Sequence, residues 1–277
     1  MEDWIVNSVM DVFDKITKMG SDVINTPETF NSTIYNGISD IQKNVITPIA
    51  LVVLAIFLLI ELQAVTTRTD NMGERGFEIP FKIMIKFAIC KVVLESTPLI
   101  LSAIFNVTQD IIINMNTYLS GSAAFNTGNA EETIRQLVNN SEFLEKVLIM
   151  LNVFIINIVS LISGILVTAI TYGRMIEMSI FIGIAPLPMA TIPNAEHSSI
   201  AKNFLKSFTA VSIQGVLICL TFAIMKILFN EIVTLDTSNI NIISLHKLLW
   251  QCTGYSIITV FALLNSGKWA KSICNAM

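Results

Sequence analysis

Residues 45–64 read VITPIALVVLAIFLLIELQA, nearly twenty residues whose single charge is Glu61. An α-helix rises about 1.5 Å per residue, so roughly twenty apolar residues are needed to cross a hydrocarbon core about 30 Å thick. Three more such runs follow downstream. A bilayer offers no hydrogen-bond partner to the backbone, so each run must cross as a helix. The chain therefore reads as an all-α integral membrane protein with several spans.

Composition agrees. Of 277 residues, 53% are hydrophobic and 14% charged, with a mean hydropathy of +0.68. Ordinary soluble domains carry about 25% charge. The net charge of −4 supplies no basic stripe for nucleic acid. Cys90, Cys219, Cys252 and Cys274 are far apart, lack CxxC spacing and lie in or beside apolar runs. They are expected to be reduced and to pack as small apolar groups. Glu2 and Asp3 stand where a secretory signal has basic residues, so no signal is expected there. Neither end carries a lipidation motif: Asn275 and Ala276 do not suit a prenylation box at Cys274.

Ahead of the first run, Trp4, Ile5, Val9, Val12, Phe13 and Ile16 recur at helical spacing opposite Asp11, Asp14 and Lys15. This predicts an amphipathic helix too polar to cross, lying on the membrane surface or against another helix. A weaker pattern, Phe30, Ile34, Ile38 and Ile41, follows Asn25-Thr26-Pro27-Glu28, which suits a helix start. Residues 1–44 thus form an expected N-terminal arm, and 45–277 a polytopic domain.

Spans are expected near 45–64, 97–118, 148–172, 208–232 and 245–266. Residues 65–80 form a polar loop. From 80 to about 94 a basic amphipathic helix is expected, broken at Ser96-Thr97-Pro98 before the second span. A short helix is expected at 130–138, inside the polar stretch 119–143. Residues 178–193, MSIFIGIAPLPMATIP, are apolar but short and hold Pro186, Pro188 and Pro193. Proline removes a donor and clashes inside a helix, so this segment is expected to be broken.

Lys and Arg gather on the cytoplasmic side of short loops. Arg68, Arg75, Lys82 and Lys86 put the loop after span one inside and the N-terminus outside. If residues 178–193 cross fully, Lys202, Lys206, Lys268 and Lys271 fall outside; if they dip in and return, all four stay inside. The rule therefore favours a re-entrant hairpin turning near 185–188, five spans, and a C-terminus inside.

The chain is not expected to be an enzyme. No HExxH, GxSxG or Walker loop occurs, and His197 and His246 are its two histidines. His197 reads as a loop or cap residue. No catalytic residue, cofactor or metal is expected, and any nucleotide hydrolysis must come from a partner. Charged residues in apolar helices are the stronger signal, because charge at membrane depth is costly. Glu61, Arg174, Lys82 and Lys86 are expected to snorkel to the interface. Lys91 and Glu95 are spaced to pair within the bundle or across subunits, and Lys226 lies near Asn230 and Glu231. Asn106, Asn114, Asn116, Asn152, Asn157 and Gln214 suit hydrogen bonds between helices.

The broken segment IAPLPMATIP, the link EHSSIAKNFLKSF and the run TAVSIQGVLICL resemble the TrbL/VirB-six family, polytopic inner-membrane subunits of conjugative type IV secretion systems. The match is best with versions from mobile elements of Gram-positive bacteria. The resemblance rests on Pro186 and Pro188 followed by Lys202, Lys206, Gln214 and Gly215. The acidic N-terminal arm departs from the family pattern. Membership implies a channel or scaffold subunit at the base of a translocation apparatus in the cytoplasmic membrane. It further implies homo-oligomers, other channel subunits and ATPases as partners, and single-stranded DNA as a candidate cargo. The candidate channel or interface residues are Lys91, Glu95, Pro186, Pro188, Lys202, Lys206, Gln214 and Lys226. Two other classes fit the same sequence. One is a small-solute transporter or channel with a helix broken at Pro186/Pro188; no second broken helix matches it. The other is a non-conducting scaffold of an envelope assembly.

Overall fold

A computed structural model describes residues 2–18, 27–68, 78–122, 127–235 and 242–276, and every regular element among them is helical. The capping pair Asn25-Thr26, Arg75 with the centre of the first polar loop, and the middle of the link after the fourth span lie outside the described residues. In chain order the helices are α1 (Glu2–Lys18), α2 (Pro27–Phe30), α3 (Ser32–Ile41), a π-helical turn (Gln42–Ile46), α4 (Thr47–Arg68) and α5 (Glu78–Glu95). They continue as α6 (Thr97–Ser122), α7 (Thr127–Asn140), α8 (Phe143–Ile184), α9 (Pro186–Met189), α10 (Ser198–Leu235) and α11 (Ile242–Ile273). Among the described residues, five apolar segments are long enough to cross a membrane: Ser32–Ala64, Thr97–Tyr118, Phe143–Ile184, Ser198–Leu228 and Leu245–Ile273. The protein is an all-α polytopic membrane protein.

The described residues fall into two compact units. One comprises Met1–Ile24, Asp110–Gly173 and Gln214–Gly267. Its α1 does not lie free: Ile5, Val6 and Val9 are fully buried against Ile134 and Val138 of α7, Ile149 and Val153 of α8, and Leu245 and Leu249 of α11. The polar side of α1 adds ion pairs, Asp3 to Arg135 at 2.7 Å and Glu2 to Lys146. The helix expected at 130–138 is present as α7. Farther along the same unit, Ile112, Val167, Ile218, Cys219 and Leu263 form a second core.

The other unit comprises Asn25–Gln109, Arg174–Ile213 and Lys268–Met277. The pattern Phe30, Ile34, Ile38, Ile41 is interrupted: Asn31 is extended, and its Oδ1 accepts the Ile34 N–H at 3.0 Å to cap α3 afresh. Helices α4 and α5 pair antiparallel, with Ala50 and Leu54 of α4 packed on Cys90 and Leu94 of α5 and on Ala190. The break expected at 96–98 occurs at Ser96, where α5 ends and α6 starts with Pro98 in its first turn. A second cluster joins Leu101 and Phe105 of α6, Met178 of α8, and Phe204 and Phe208 of α10.

The helix of the third span does not stop at residue 172, where the sequence put its end. Helix α8 runs without interruption through Gly173 and Arg174 to Ile184, so residues 178–184 continue the third span. The helix is interrupted only at Ala185, ahead of Pro186, where the backbone itself stays in the right-handed helical region. At 42 residues, α8 is about 63 Å long, twice the hydrocarbon thickness. Hydropathy marks only the apolar part of such a helix. Packing and internal hydrogen bonds carry the helix past it.

Candidate functional site

The proline-rich segment is a packed connection. Pro186 and Met189 are buried in the single turn α9. Leu187, Ala190 and Ile192 join the core formed with α4 and α5. The backbone bonds that follow the prolines are local. Ala185 O accepts Met189 N–H at 3.3 Å, Pro186 O accepts Ala190 N–H at 3.0 Å, and Pro188 O accepts Thr191 N–H at 3.2 Å and Thr191 Oγ1 at 2.8 Å. Asn194 then opens α10, its Oδ1 accepting the N–H groups of Glu196 and His197, each at 3.0 Å. His197 is the cap-side residue expected of it, with its ring 5.2 Å from that of Phe57.

The ionisable candidates separate into three kinds. Lys91 and Glu95 pair one turn apart at 3.8 Å, and both are about half exposed, so the pair lies on the outer surface of α5. Lys202 is exposed and Lys206 half-buried, one turn apart near the start of α10. Lys226 is half-buried farther along α10; the side chains of Asn230 and Glu231, which the sequence placed near it, lie outside the described set. Gln214 acts as a hydrogen bond between helices: its Nε2 donates to Ser266 Oγ of α11 at 3.2 Å, beside Gly267. Asn152 and His246 make a similar link from α8 to α11 at 2.6 Å.

Two features escaped the sequence. Glu61 and Lys86, each expected at the interface, instead bond to one another at 3.0 Å, and Glu61 also faces the Ala195 N–H at 3.4 Å. Their common place shows only once α4 and α5 are laid antiparallel. Arg174, also expected to snorkel, is 2% exposed. Its Nε donates to the Val211 carbonyl at 3.3 Å, while Nη1 and Nη2 have no partner among the described residues. An isolated buried guanidinium is expensive, which marks the position for attention.

The four cysteines are free, three of them buried. Burial raises the thiol pKa of Cys90, partly offset by Lys86, and burial also raises that of Cys274. No cluster of three or more metal-ligating side chains occurs among the described residues.

Residues 12–186 match the model of a family described as TrbL/VirB6 plasmid conjugal transfer like protein. Nothing matches among curated proteins or solved structures. The matched region covers well over half the chain and begins inside the N-terminal arm that the sequence reading had set apart from the family. It ends at Pro186, ahead of Lys202, Lys206 and Gln214. Five apolar helices and this match together identify a multi-pass membrane component of the type IV secretion class: the chain belongs to the TrbL/VirB6-like family of conjugal transfer proteins.

Proposed function

We propose that this protein is a channel or scaffold subunit of a conjugative type IV secretion system. It would sit in the cytoplasmic membrane with its N-terminus outside and C-terminus inside, supporting the passage of DNA and protein. The observation that carries this reading is the family match over residues 12–186 on a chain with five membrane-length helices. A single five-span bundle encloses little room for a macromolecule, so the conduit is built from several copies or with other channel subunits. Exposed apolar side chains on most of the long helices, such as Val52, Leu99, Ile165 and Phe261, suit lipid or such neighbours. The protein itself catalyses nothing in this reading; partner ATPases supply the energy.

The orientation has its own support. Glu61 and Phe57, at the end of the first apolar run, meet Ala195 and His197. The start of the link that carries Lys202 and Lys206 lies beside the end of span one, on the same side, as two crossings between them require. In-frame deletion of the gene in a donor cell should abolish conjugative transfer, and expression of the intact chain in trans should restore it. Transfer at the normal frequency without the protein would overturn the reading.

A further inference from the structure

Ahead of the first apolar run, one face of α3 and the following π-helical turn borders a cavity of about 430 Å³. Tyr35, Ser39, Gln42 and Lys43 recur at the spacing of a single helix face and present hydroxyls, an amide and an ammonium. The facing wall is amphipathic. Leu101 and Phe105 of α6 and Phe208 of α10 are apolar, while Ser102 and Asn106 are polar. Glu28 brings a carboxylate to the same cavity that Lys43 supplies with a positive charge.

Three observations point to an occupant from outside the chain. Gln42 is 2% exposed and its Nε2 has no partner, although buried amides are nearly always satisfied. The backbone there is π-helical, a geometry found disproportionately at functional sites. The volume falls in the range of small-molecule sites, about 300–1,000 Å³. An anionic acceptor suits Gln42 and Lys43, a cation suits Glu28, and hydrocarbon suits the apolar wall. One class of molecule abundant around a membrane protein carries all three.

We propose that this cavity binds one phospholipid whose headgroup carries a primary ammonium beside its phosphate, as in phosphatidylethanolamine. Gln42 turns its closed-off amide to donate to the phosphate oxygens, which also face Lys43; the ammonium faces Glu28, and the start of the acyl chains lies along Leu101, Phe105 and Phe208.

The test uses the full-length chain, delipidated in mild detergent, with lipid retention followed by native mass spectrometry. Phosphatidylethanolamine should be retained as a single tight adduct, about tenfold more strongly than phosphatidylglycerol, the size of effect that one charged contact gives. Gln42→Leu should weaken that adduct by about tenfold, and Glu28→Gln should erase the preference between the two lipids. Ser102→Phe fills the cavity from α6 with Gln42 intact and should abolish the adduct; it decides the matter if Gln42→Leu does not fold. Equal retention by the wild type and the folded variants would overturn the proposal. So would an absence of lipid preference, or displacement by an equal concentration of inorganic phosphate.

Discussion

Lys86 of α5 donates to Glu61 of α4 at 3.0 Å, and the partly sheltered Glu61 carboxylate also faces the backbone N–H of Ala195. One carboxylate thus ties the first apolar helix to the next helix and to the connection before α10. Because Glu61 is only 17% exposed and Lys86 is 43% exposed, the pair should exceed a fully exposed ion pair in worth. A double-mutant cycle with Glu61→Gln and Lys86→Gln, followed by thermal unfolding in detergent, should return a coupling of about 1 kcal/mol. A coupling near zero would mean that the two side chains do not hold the helices together.

Arg174 presents the opposite balance. Its guanidinium is buried with one long bond to Val211 O and two unpartnered nitrogens. Methionine fills similar space without a charge to desolvate, so Arg174→Met should leave the isolated protein as stable or raise its stability by about 1–3 kcal/mol. If Arg174 is retained for its role in the assembled system, the same change should lower conjugative transfer. A marked fall in thermal stability would show that the guanidinium is already well paired in the isolated protein.

The docking of α1 predicts a packing cost. Ile5 is fully buried among α7, α8 and α11, so Ile5→Ala should destabilise that unit by about 3 kcal/mol, and Ile5→Val by about 1 kcal/mol. Hydrogen exchange along α1 reports this directly. Unchanged protection in Ile5→Ala would mean that α1 is held by its ion pairs to Arg135 and Lys146 rather than by its apolar face.

What was legible in the sequence follows from what each signal measures. Apolar length revealed the five crossing helices, and Pro98 revealed the join of α5 and α6, because both effects are local. The third span was expected to end near residue 172, yet α8 passes straight through Gly173 and Arg174. A helical glycine costs only about 1 kcal/mol relative to alanine, little against the packing of a 42-residue helix. A Cβ at Gly173 would meet nothing within 4 Å, so the glycine does not mark a close approach either. The burial of Arg174 and the Glu61–Lys86 pair depend on which helices become neighbours, and no local pattern encodes that.

The side of the membrane reached by each connection can be read by thiol labelling. Cys90, Cys219, Cys252 and Cys274 are first replaced, and single cysteines are placed at Thr67, Ser198 and Ser272. In intact cells all three should resist a membrane-impermeant reagent and react after permeabilisation. Labelling of Ser198 and Ser272 positions but not Thr67 would require six crossings and overturn the five-span topology.

The last prediction concerns Lys202 and Lys206. They lie one turn apart on α10, with Lys202 exposed and Lys206 half-buried. Their charge could serve two ends. It could only anchor the link on the cytoplasmic side, as the positive-inside rule demands. It could also face an anionic partner or DNA phosphate at the mouth of the conduit, where each neutralised phosphate adds salt-dependent affinity. Lys202→Gln/Lys206→Gln removes both charges and keeps side-chain length close to that of lysine. With membrane level and labelling pattern intact, transfer frequency should fall, and single changes should give intermediate values. Normal transfer from the double variant would reduce the two lysines to topology anchors.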